Sequence, residues 1–138
     1  MNWEDFNCFI TALCAWREAR GEGGIDATAK RDALRGVIHV IANRAKARNK
    51  SWAEIVFQRL QFSSMTAPGD PQLYLVPVSP DYIFASCFEI ATNVYNGGDF
   101  DLTQGATHYY ADYIAPPSWI TGMVKTTQIG HHIYFKEN

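Results

Sequence analysis

The chain has no long hydrophobic run. Nowhere do its 138 residues offer the ~20 consecutive apolar positions that cross a bilayer, so no membrane insertion is expected. Nor is there a surplus of either charge: 12 Lys and Arg against 14 Asp and Glu leave a formal net charge of −2. Nucleic-acid binding through phosphates calls for a cationic surface, and that class is set aside. A polymeric partner would be held by shape, stacking and hydrogen bonds instead. Cysteine is scarce, with Cys8, Cys14 and Cys87 each in an apolar helical context. The odd count argues against a disulfide framework and for small buried thiols in a reducing compartment. The start Met1-Asn2-Trp3-Glu4-Asp5 lacks the basic opening of a secretory signal. Synthesis in the cytoplasm is therefore expected, with any extracytoplasmic target reached by another route.

Several chemical signatures are missing too. The histidines His39, His108, His131 and His132 fall in no His-x-x-x-His or His-Glu-x-x-His spacing, and no Cys-x-x-Cys occurs. No metal and no cofactor is expected. There is no Gly-x-Ser-x-Gly nucleophile elbow and no phosphate-binding glycine loop with lysine. Without repeats, low-complexity tracts or linkers, residues 1–138 read as one domain. The apolar share of 47% and aromatic share of 14% supply a core of its own.

What is present is helical periodicity. Phe6, Phe9, Ile10, Leu13 and Trp16 recur at three and four, which predicts a helix from Trp3 to about Arg17. Asn2 is placed to cap it, and Gly21, Gly23 and Gly24 to end it. A second helix is expected from about Asp32 to Arg48. Gly36 inside it implies close packing of another backbone. A shorter helix covers Trp52 to Arg59, Thr66 to Pro80 reads as loop, and Asp81 caps a helix running to about Tyr95. The last forty residues change to β-formers, glycines and aromatics, with strands expected at Thr107–Tyr110 and His132–Phe135. The fold class is α+β and mainly helical, with a small irregular or β-containing C-terminal lobe. Arg44, Lys46, Arg48 and Lys50 read as a solvated helix end.

Glu18 falls in the last turn of the first helix, where the partial negative charge of the helix end favours a neutral carboxyl. Cys14 and Ala15, one turn back, add desolvation. If the helix persists through Gly21, Glu22 shares the face of Glu18 at about 5–6 Å, and a second anion acts in the same direction. A carboxyl that keeps its proton is a general acid, as glycosidic cleavage requires. The plainer alternative is a surface ion cluster of Glu18 and Glu22 with Arg17 or Arg20. A second constellation, Gly105-Ala106-Thr107-His108-Tyr109-Tyr110 followed by Trp119, combines a glycine that admits close backbone approach with side chains that stack on sugars. An ordinary aromatic core strand would look similar. Gln61-Phe62-Ser63 is a weaker polar-aromatic cluster.

In their order these segments resemble the SleB-type cell wall hydrolases, the family of the spore cortex-lytic enzymes. The matching pieces are Glu18-Ala19-Arg20-Gly21-Glu22, Val40-Ile41-Ala42-Asn43-Arg44, Gln61-Phe62-Ser63, Gly105 to Tyr110 with Trp119, and Ile129-Gly130 with His132 and Tyr134-Phe135. The resemblance implies a lysozyme-like single domain that cleaves the peptidoglycan glycan strand between N-acetylmuramic acid and N-acetylglucosamine. It places the catalytic acid on Glu18 and the second family glutamate on Glu22. Gln61, Phe62, Ser63, Thr107, His108, Tyr109, Tyr110 and Trp119 are the expected substrate contacts. Two departures stand out. Trp16-Arg17 replaces the family's Tyr-Gly and sets a cation beside the acid, and Ile25 to Lys30 reads as an insertion.

One clear acid suits lytic transglycosylation, which closes a 1,6-anhydro ring on the muramoyl sugar. A hydrolytic muramidase would need a second carboxylate, from Glu22, Asp101 or Asp112. Zinc-dependent amide cleavage through His108 and His132 and a non-catalytic wall-binding module are the more distant readings. A compact chain without a signal fits a phage or prophage endolysin. Such a protein would be monomeric, act on the wall or periplasm and depend on a holin for export.

Overall fold

The computed structural model describes residues 1–59 and 61–138. Helix α1 spans Trp3–Ala19. Asn2 caps it by accepting a hydrogen bond from the Asp5 N–H at 2.8 Å, and Glu4 and Asp5 sit where the helix dipole favours anions. Helix α2 spans Ala27–Arg48 and begins five residues before the expected start at Asp32. Its cap is Asp26, whose Oδ1 accepts from the N–H groups of Thr28 and Ala29. The first turn is solvent-exposed, so no periodicity marks it. Ile25 to Lys30, expected as an insertion, thus enters the cap and first turn of α2.

The short helix α3 covers Trp52–Val56 behind a Ser51–Glu54 capping box. Helix α4, Ser63–Thr66, leads into the stretch Thr66 to Pro80 expected as loop, and a 3-10 turn over Pro71–Tyr74 lies within it. Helix α5 runs Tyr82–Tyr95 with Asp81 as its cap, as expected. The helices α1, α2 and α5 bury their apolar faces against one another, around Ile10, Cys14, Leu34, Ile38, Ile41 and Ile90. The three thiols are buried in or beside this core, and burial pushes each of them up, Cys87 to about 12.

Three antiparallel strands close the domain: β1 His108–Ala111, β2 Val124–Ile129 and β3 His132–Lys136, in the order β1-β3-β2. The register sets Tyr109 opposite Tyr134 and Ala111 opposite His132. Strand alternation therefore gives one face to Tyr109, His132 and Tyr134, and the other to His108, Tyr110 and Phe135. The first face meets α2. A Cβ at Gly36 would collide with the Tyr134 hydroxyl, so the close approach inferred at Gly36 is to a tyrosine side chain rather than to a backbone.

Candidate active site

Glu18 stands in the last turn of α1, half-buried, with Cys14 and Ala15 sealed in the core behind it. It lines a groove of about 520 Å³ that runs between the end of α1, the Pro71–Tyr74 turn, β1 and the loop beyond it. Tyr109 from β1 donates its hydroxyl hydrogen to Glu18 Oε1. Oε2 has no protein partner among the described residues. Burial first, and then the charge of Glu18, raise the Tyr109 phenol well above its ordinary value, so it keeps its proton and stays a donor. His132 packs against Tyr109, tilted, with ring centroids 4.6 Å apart. Burial lowers the His132 imidazole from its ordinary value, which favours a neutral ring in this wall of the groove.

The surface-cluster alternative for Glu18 does not hold. Arg17 turns away, donating from Nε to the Leu75 carbonyl and from Nη1 to the Ser64 carbonyl, both at 3.0 Å. Arg20 lies over the Trp16 ring at 4.0 Å and donates to the carbonyls of Trp16 and Arg17. Among the described residues no ion pair involves Glu18 or Glu22.

Glu22 is not the neighbour on the same helical face that the spacing allowed. Helix α1 stops at Ala19, and Glu22 lies beyond it, where Oε1 accepts from the His131 N–H at 2.7 Å. A Cβ at Gly130 would sit 2.7 Å from the same oxygen. Glu22 thus clamps the β2–β3 turn and is not among the groove-lining residues.

Of the expected substrate contacts, Tyr109, Tyr110 and Trp119 line the groove. The others do not. Phe62 is buried in the core, 5.5 Å below the Arg44 guanidinium. Gln61 and Ser63 border a separate cavity of about 530 Å³. Thr107 is buried, and its carbonyl accepts two hydrogen bonds from Arg44. His108 lies on the opposite sheet face from His132 and packs against Trp119 at 5.1 Å. Strand alternation thus separates the two histidines that a shared zinc ion would need.

Arg44 itself corrects the reading of a solvated basic helix end. It is 5% exposed and binds Thr107 and Gln61, so it braces β1 from behind. Burial lowers it to about 10. Gly105 serves through its backbone angle, φ +86°, which lets its N–H reach Asp101. No atom crowds its side-chain position. Sequence reasoning did not foresee Arg17, Gln72, Tyr113, Ile114 and Pro117 as groove residues. Only the Trp16-Arg17 departure signalled any of them.

A glutamate held by a tyrosine thus lines an aromatic-walled groove on a mainly helical α+β frame. The chain belongs to the Cell Wall Hydrolase family, which it matches over residues 29–135. It is accordingly an enzyme of the peptidoglycan wall. Glu18 and Glu22 precede the matched span, but the structural likenesses take in α1. The catalytic domain of the Bacillus cereus SleB protein superposes with a TM-score of 0.70 at 24% identity, covering 99% of this chain and 92% of that one. The catalytic domain of the germination-specific lytic transglycosylase SleB from Bacillus anthracis gives 0.70 at 23% identity, covering 99% and 97%. At these identities the likeness establishes the fold. No curated protein sequence matches the chain.

Proposed function

We propose that the protein is a lytic transglycosylase that cleaves the bond between N-acetylmuramic acid and N-acetylglucosamine in peptidoglycan. Glu18 gives its proton to the glycosidic oxygen, and the muramoyl C1–O bond breaks through an oxocarbenium-like state. The resulting carboxylate takes the proton of the same sugar's C6 hydroxyl as that oxygen bonds to C1. No water is consumed. The carrying observation is that Glu18 is the one carboxylate among the described residues lining the groove.

The three candidates for a second carboxylate are each engaged elsewhere. Glu22 holds the β2–β3 turn. Asp101 accepts from Asn43, Thr103 and Gly105, and these bonds outweigh burial to hold it below its ordinary value. Asp112 is bound by Gln128 and His131. Both hydrolytic geometries use a second carboxylate, as a base or as a nucleophile.

Mass analysis of the soluble products from purified sacculi tests the reading. The wild type is expected to leave 1,6-anhydro-muramoyl ends. Glu18→Gln should lower the rate by about a thousandfold while still binding sacculi. Reducing muramoyl ends would make the enzyme a hydrolytic muramidase, and release of peptides without saccharides would make it an amidase.

A further inference from the structure

Arg17 is the one fixed cation among the described residues lining the groove, and it is adjacent to the acid in sequence. Its Nε and Nη1 are spent on the carbonyls of Leu75 and Ser64 and on the Met65 sulfur. Nη2 has no partner among the described residues and is not enclosed. Asp70, whose charge pulls on this guanidinium, is occupied by the Ser63 hydroxyl and the Gln72 N–H. Arg17 is therefore held rigid by backbone carbonyls and left without a neutralising carboxylate. Gln72, carried on the turn that Arg17 pins, lines the same groove, and its Nε2 is not enclosed and donates to no group among the described residues. A preorganised guanidinium with spare N–H groups, beside an uncommitted amide, matches a carboxylate.

We propose that Arg17 and Gln72 form a carboxylate subsite beside Glu18, one that engages a free carboxylate of the short peptide carried by the muramoyl residue. The inference rests on the glycan-cleaving reading above. It makes the protein selective for strands that carry free carboxylates close to the scissile bond.

The test compares kcat/KM on intact sacculi, on sacculi whose carboxyls have been amidated with carbodiimide and ammonia, and on strands stripped of peptide by an amidase. Amidation is expected to lower the wild-type kcat/KM by about tenfold, the scale of one charge-assisted hydrogen bond. Bulk charge works the other way, since a protein of net charge −2 should approach a less anionic wall more readily. In Arg17→Gln the intact-to-amidated ratio should fall toward one, with Gln72→Ala intermediate. On stripped strands, which exchange the peptide carboxylates for a free lactyl carboxylate, the advantage over amidated walls should be lost, and a retained one would overturn the assignment to the peptide.

Equal wild-type values on intact and amidated walls would overturn the subsite, as would full discrimination in a folded Arg17→Gln. The amidation arm uses the unaltered protein, so it decides even if Arg17→Gln fails to fold. Failure of the wild type to release saccharides from any wall would instead refute the glycan-cleaving reading.

Discussion

Tyr109 converts a buried phenol into a permanent hydrogen-bond donor for Glu18 Oε1. Its ring is fixed by His132 on one side and approached by Phe62 at 6.5 Å, so the hydroxyl has little freedom to swing away. The bond fixes one carboxyl oxygen and leaves the other for the sugar. Tyr109→Phe should lower kcat by about tenfold or more through loss of this positioning, with KM changed by less than about twofold. Steady-state kinetics on soluble glycan fragments measures both quantities, and a rise in KM alone would make Tyr109 a sugar contact only. At this scale the sequence was partly legible. Glu18 showed because a strongly apolar helix ends in an acid followed by glycines. Tyr109 showed as an aromatic but not as the partner of Glu18, because the pairing joins residues 91 positions apart. Gln72 carried no signal, since a glutamine in a proline-rich loop looks like any other solvated side chain.

Helix α2 and strand β3 meet at a contact that Gly36 alone permits. Tyr134 is fully buried there, and its hydroxyl has no partner among the described residues. Gly36→Ala should destabilise the protein by about 1–3 kcal/mol from overpacking, more than offsetting alanine's better helix propensity. Tyr134→Phe removes the atom nearest the new methyl and should recover part of that loss in the double variant. Chemical denaturation of the four proteins in a double-mutant cycle checks this, and strict additivity would refute the contact. The helices α1 and α5 were readable from their stripes and caps. Strand β2 was not, because Val124–Ile129 is an edge strand with mostly exposed or half-buried residues and little alternation. Arg44 was misread for a related reason. Its neighbours Lys46 and Ala47 are exposed, and only tertiary structure shows that one residue of the basic series turns inward.

The whole domain is divided between a helical core built from apolar contacts and a sheet lobe that keeps two histidines in desolvated places, and the two parts should respond differently to acid. His108 is lowered from 6.5 to about 4, first by burial and then by the charge of Arg44 on α2. Arg48 acts in the same direction, while Glu137, 4.0 Å away beyond β3, opposes it. His132 is lowered as well, chiefly by burial, with Glu22 and Asp112 opposing and His131 adding to it. An unfolded chain therefore takes up protons near pH 6.5, where the folded protein does not. Between that pH and about 4 the unfolded state binds more protons, so stability falls as pH falls. The paired carboxylates Asp99, Asp101 and Glu137 are held below their ordinary values, and their contributions are lost progressively as pH falls below about 4.5. His108→Gln should flatten the upper part of this curve. It removes a loss of roughly 2 kcal/mol at pH 4, allowing for the half-buried ring, and leaves the lower part in place. Urea midpoints measured every half unit from pH 7.5 to 3.5 give both limbs. A variant curve parallel to wild type through the upper window would show that His108 titrates alike in both states, and that the desolvation of this sheet face is not what makes the enzyme acid-labile.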